Sequence, residues 1–85
     1  MLRMSDLNKG ERGVVTGFAI ERGQGVAFIA EDELERRLLE MGFVEGARFQ
    51  ILHEGLIGRD PIAVKLDDMR IGLRRREANM IIVEM

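Results

Sequence analysis

Pro61-Ile62-Ala63-Val64-Lys65-Leu66-Asp67-Asp68-Met69-Arg70-Ile71-Gly72-Leu73 decides the fold. Ile62, Val64 and Leu66 alternate with small or polar residues, and after two aspartates Met69, Ile71 and Leu73 do the same. A period of two places each trio on one face of an extended strand. Asp67-Asp68 reads as a tight reversal, so the stretch predicts an antiparallel hairpin with one apolar face and with Arg70 and Arg74 on the other. Pro61 suits the first position of its strand because it has no N–H to contribute.

The same period extends outward. A strand from about Ala47 to His53 puts Phe49 and Ile51 in phase and Leu52 out of phase, and Glu54–Asp60 reads as a turn. Upstream, Asp32 and Glu35 have the spacing of a capping box, and Leu34, Leu38 and Met41 share one face of a helix running from Asp32 to Met41. Gly42 suits a left-handed cap, with Phe43 folding back as its apolar follower. Arg12–Phe18 reads as the first strand, Arg75–Asn79 as one helical turn, and Met80–Val83 as the last strand. Glu21–Ile29, with two glycines and then Val26-Ala27-Phe28-Ile29, reads as a hairpin extension or mobile flap. Five short strands cannot make two generous sheets, so the expected fold is mostly β, about five antiparallel strands curled into a small barrel that removes most exposed edges, with one packed α-helix.

Eighty-five residues set the expectation of a single domain spanning residues 1–85. With no cysteine and only one histidine, His53, thiolate metal sites, disulfides and Cys-His dyads are excluded. Thirteen basic and fifteen acidic side chains are interspersed, which disfavours a duplex-binding surface. Tryptophan and tyrosine are absent, leaving four phenylalanines as the only stacking groups for a single strand. No apolar run approaches membrane-spanning length and Met1–Asp6 lacks the core of a signal peptide, so a cytoplasmic chain without membrane insertion is expected.

No catalytic set emerges. Glu31, Asp32, Glu33, Glu35 and Glu40 are accounted for by capping, helix dipole and solvation, and Asp67-Asp68 by turn formation. His53 beside Glu54 offers one nitrogen to a transition metal, ferrous iron included, but a stable site needs two or three protein ligands, so no cofactor is expected. Ser5 and Thr16 have no neighbouring base, and the glycines lack both the P-loop and the dinucleotide spacing. Neither hydrolase activity nor any other catalysis is expected. Two surfaces stand out. Arg70, Arg74, Arg75 and Arg76 form the densest basic cluster, open to plain solvation, protein contact, phosphate or lipid. Phe28 and Ile29 serve either to cover a barrel end or as an apolar contact.

Leu38-Leu39-Glu40-Met41-Gly42-Phe43-Val44-Glu45-Gly46, then Gly58-Arg59-Asp60-Pro61-Ile62, then Ile71–Val83 resemble the FeoA family of ferrous iron transport proteins. The likeness runs from about Leu7 to Val83, with Leu7 and Gly10 matching the family's opening leucine and glycine. Gly42 and Gly46 resemble its turn glycines, and Leu73-Arg74 its Leu-Arg pair. Glu45 stands where many members carry proline, and the Glu21–Ile29 segment is longer than usual. The resemblance implies an SH3-like barrel and a cytoplasmic accessory protein of ferrous iron uptake that contacts the FeoB-type permease. It also implies two alternatives, a module of a metal-dependent transcriptional regulator and a direct ferrous iron binder. Partner contact is assigned to Phe28, Ile29, Arg70, Arg74, Arg75 and Arg76, without nucleic acid. An exposed strand edge leaves room for a homo-oligomer of a size the sequence does not set.

Overall fold

In the computed structural model, residues 1–19 and 26–85 are described, and the side chains of all of these except 26–32. The strands are β1 (Arg12–Phe18), β2 (Arg48–Ile57), β3 (Asp60–Leu66), β4 (Met69–Leu73) and β5 (Ile81–Glu84). Two helices, α1 (Val26–Met41) and α2 (Arg75–Ala78), interrupt them, and a short 3-10 turn, Met4–Asp6, precedes β1.

The β3–β4 hairpin forms as its sequence predicts, with Ile62 opposite Leu73, Val64 opposite Ile71 and Leu66 opposite Met69. Ile62, Val64, Leu66 and Leu73 are buried, while Met69, expected inside, is 52% exposed. β2 pairs with β3 and β1, and β1 with β5, all antiparallel. Bulges break the β1–β5 register between Val15 and Gly17 and the β2–β3 register at Ile51/His53 and Glu54/Ile57.

The expected closed barrel is not what these strands build. They form one open antiparallel sheet in the order β4-β3-β2-β1-β5, and β4 and β5 do not pair. The free side of β5 is taken instead by the N-terminal segment, through an Arg3–Ile82 bridge and the Val83 amide donating to the Leu2 carbonyl at 3.0 Å. α2 carries the chain from one edge strand to the other and packs against the 3-10 turn.

The helix also differs from expectation at its start. Backbone at Asp32 lies inside α1, six residues after Val26, so Asp32 is no N-cap and the Asp32–Glu35 capping box is not formed. Val26-Ala27-Phe28-Ile29, read as part of a flap because two glycines precede them, is helical: the glycines mark a break in the chain but do not set the conformation of the apolar run that follows. Residues 21–25 of that flap lie outside the described residues. The C-terminal end follows expectation. Gly42 takes φ +109°, its amide donates to the Leu39 carbonyl and that of Phe43 to the Leu38 carbonyl, each at 3.0 Å, which is a Schellman cap. Leu38 and Phe43 are fully buried, and Leu34 and Met41 pack against the same core.

Candidate partner-docking surface

The arginine cluster divides by what α2 does to it. β4 ends at Leu73, and α2 begins at Arg75 after the Arg74 amide has donated to Glu77 Oε1 at 2.8 Å. This turn aims Arg75 inward. Its amide donates to Asp60 Oδ1 at 2.9 Å, its Nε to the Arg59 carbonyl at 2.7 Å, and its Nη1 to the carbonyls of Ser5 at 2.7 Å and Leu7 at 3.2 Å. Nη2 is buried without a hydrogen bond, 3.6 Å from Glu54 Oε1, and the side chain is only 18% exposed. Arg75, expected to face a partner, therefore joins the N-terminal segment to the tip of the β2–β3 hairpin. Arg70, Arg74 and Arg76 are exposed.

The hairpin tip is held from the other side as well. Arg59 Nε donates to Glu54 Oε2 at 2.8 Å and Nη2 to Glu54 Oε1 at 3.1 Å, while Nη2 also bonds Asn8 Oδ1. The Lys9 amide donates to Glu54 Oε1 at 2.7 Å. The hydrogen bond from Arg59, then that from the Lys9 amide, hold the Glu54 carboxyl below its ordinary value, and the same pairing raises Arg59. Gly58 (φ +65°) and Arg59 (φ +59°) supply the two left-handed residues of a twist-matched two-residue hairpin loop. A Cβ on Gly55 would overlap the Asp60 carbonyl, so the strands approach there as only glycine allows.

Above this network stand Leu56, 103% exposed, and Ile57, 88% exposed. Sequence reasoning absorbed both into a turn. The available signal was Gly58-Arg59-Asp60, which by itself supplies a complete reversal and leaves Leu56 and Ile57 as the end of a strand.

Arg70 lies on the solvent face of β4, directly across from Lys65 on β3. Arg74, the extended N-cap residue of α2 just past the end of β4, is in phase with Arg70 and about 13 Å along at strand spacing, with Gly72 between them. The row continues across the sheet through Gln50 to Arg12. A shallow hollow there is lined by Arg12, Arg48, Gln50, Lys65, Asp67 and Asp68, a mixture of signs that gathers no acid, base and nucleophile at one point. Phe28 and Ile29 lie on α1, and their side chains fall outside the described ones.

His53 is exposed at the β2 bulge opposite Ala63, and its neighbour Glu54 is already engaged by Arg59 and Lys9. Among the described residues no three of His, Asp and Glu gather as a metal cluster. Among the described residues no helix is long and apolar enough to cross a membrane.

The chain is 32% identical over 84 residues to an Fe(2+) transport protein A/Fe(2+) transporter FeoB fusion protein of Porphyromonas gingivalis, covering 99% of this chain and 9% of that much longer protein. The solution structure of FeoA from Chlorobium tepidum superposes with a TM-score of 0.79 at 33% identity, over 99% of this chain and 70% of that one. The zinc-complexed crystal structure of Stenotrophomonas maltophilia FeoA gives 0.77 at 28% identity, over 99% and 91%. The FeoA domain profile matches residues 2–85, and with the Gly42 cap, the Gly58–Ile62 turn and the Leu73-Arg74 junction all in place, the chain belongs to the FeoA family of ferrous iron transport domains.

Proposed function

We propose that this chain supports ferrous iron uptake by docking on a FeoB-type iron permease, acting through protein contact and not through catalysis. The observation that carries the reading is the Porphyromonas gingivalis relative, in which a transport protein A region matching nearly all of this chain is covalently joined to an FeoB transporter. Fusion of two modules in one chain keeps them at high effective concentration, which is useful when the separate versions must meet. The surface suits such a role. Exposed Arg70, Arg74 and Arg76 steer an encounter with an acidic patch, and Leu56 and Ile57 offer apolar area for desolvation. Phe28 and Ile29 of α1 belong to the proposed contact on the strength of the sequence.

The test is recovery of the tagged chain from detergent-solubilised native membranes. A ferrous iron permease is expected among the captured proteins, and its absence while the transporter is intact removes the reading. In kinetics with the purified pair, Arg74→Glu with Arg76→Glu should slow association and flatten its salt dependence, whereas Leu56→Asp should mainly speed dissociation.

A further inference from the structure

The two edges of the sheet are not alike. β5 is covered by the N-terminal segment, whereas among the described residues no backbone hydrogen bond reaches β4 from its open side. An open edge usually carries charge as protection against chance pairing, and Arg70 serves that end. The arrangement around it goes further than protection needs. Arg70 faces Lys65 directly across the strands, a like-charge pair that costs stability, and neither residue nor Arg74 forms an ion pair among the described residues. Between Arg70 and Arg74, Gly72 leaves a gap, since a Cβ placed there meets nothing within 4 Å. On the opposite side of β4, Met69 is exposed and Ile71 half-buried, so the core face is also unfinished at this edge.

We infer that β4 is a docking edge for an extended acidic segment of the partner, which adds as a further strand beside Met69–Leu73. Strand spacing sets its pattern. Carboxylates two residues either side of a central position face Arg70 and Arg74, a bulky side chain at the centre lies over Gly72, and the alternate residues are apolar and extend the Met69–Ile71 face. A second copy of this chain is the poorer occupant, because it would set another Arg70, Arg74 and Lys65 against the same three cations. The inference rests on the docking reading for the identity of the partner but not for the chemistry of the segment.

The probe is acetyl-Gly-Glu-Val-Phe-Val-Glu-Gly-amide, whose pattern reads the same in both directions, titrated into the full 15N-labelled chain. Saturable amide shifts confined to β4 and its β3 neighbours are expected. Arg70→Glu should weaken binding about tenfold, and Gly72→Val, which fills the gap without a clash, should weaken it while the spectrum stays native. Lysine in place of both glutamates should abolish binding. Of two peptides N-methylated either at the valines or at the phenylalanine and glutamates, at least one should fail, because alternate amides face β4. Shifts on another face, no saturable shift at millimolar peptide, or unchanged binding by both methylated peptides would overturn the inference. Concentration-dependent β4 shifts without peptide would assign the edge to a second copy and overturn it too. A chain that captures the permease yet ignores the peptide loses this edge proposal and keeps the docking reading.

Discussion

Two hairpin loops of equal length close the ends of β3, and their charges do opposite things. At the β2–β3 tip, Arg59 turns back onto Glu54 and Asn8, and Asp60 accepts from the Arg75 amide, so the charges hold three distant parts of the chain together. At the β3–β4 loop, Asp67 and Asp68 are exposed, and the one side-chain bond formed there is a long one, 3.4 Å from the Arg48 amide to Asp67 Oδ1. Charged residues at a two-residue reversal are structural in one case and solvating in the other. What separates them is the backbone within reach: Arg75 finds three carbonyls, from Ser5, Leu7 and Arg59, whereas Asp67 finds a single amide.

The contrast can be broken most forcefully at Arg75. Arg75→Ala strands those three carbonyls and should cost about 3 kcal/mol in urea unfolding, a fall of about 15 °C in the thermal midpoint for a domain of this size. Arg74→Ala and Arg76→Ala, on either side of it, should stay within about 0.5 kcal/mol of the parent. Equal effects at all three positions would erase the distinction between the inward arginine and its neighbours. Next in size is Gly55→Ala, where the added methyl meets the Asp60 carbonyl, and about 2 kcal/mol of destabilisation is expected.

Acid sharpens the comparison. The carboxyl of Glu54 titrates below its ordinary value of 4.5 because Arg59 and the Lys9 amide favour its charged form. Its contribution is therefore complete above that value and is lost as pH falls through the lower, folded-state value. Glu54→Gln should show a shallower loss of stability than the parent when unfolding is followed downward from pH 4.5. A parallel acid limb in both proteins would show that the carboxylate gives the tip nothing. The smallest effect belongs to the other loop. Asp67 holds φ +51°, so Asp67→Gly relieves a left-handed conformation while giving up one weak bond, and stability should change by less than about 0.5 kcal/mol.

Where function follows from local pattern, the sequence was informative. Alternation located β3 and β4, the β1 limits were read correctly as Arg12–Phe18, and Gly42 with Phe43 marked the end of α1. Sheet closure was misread because strand periodicity says which face is apolar and nothing about which edges meet. Here the N-terminal residues Leu2 and Arg3 take the place beside β5 that a closed barrel would have given to β4. The arginine run was legible as a cluster but not as two populations. Only the turn into α2 separates Arg75 from Arg74 and Arg76, and its targets, Ser5 and Leu7, lie about seventy residues away along the chain. Lys65 carries no signal of its own in the sequence, because its significance lies in the residue across from it, Arg70.

The meeting of Leu2 with Val83 and of Ser5 with Arg75 sets the order of events when the chain folds. Such pairings enclose nearly the whole sequence in one loop, and the entropy of closing that loop is spent before any contact within it repays the cost. The β2–β3–β4 meander, whose partners are neighbours in sequence, can form early and quickly. Attachment of β5 and of the N-terminal segment comes last and together, each supplying the other's missing hydrogen bonds. Refolding after a rapid dilution from urea should therefore show amides of β3 protected from exchange before the Val83 amide, and the β4 edge in place while the opposite edge is still bare.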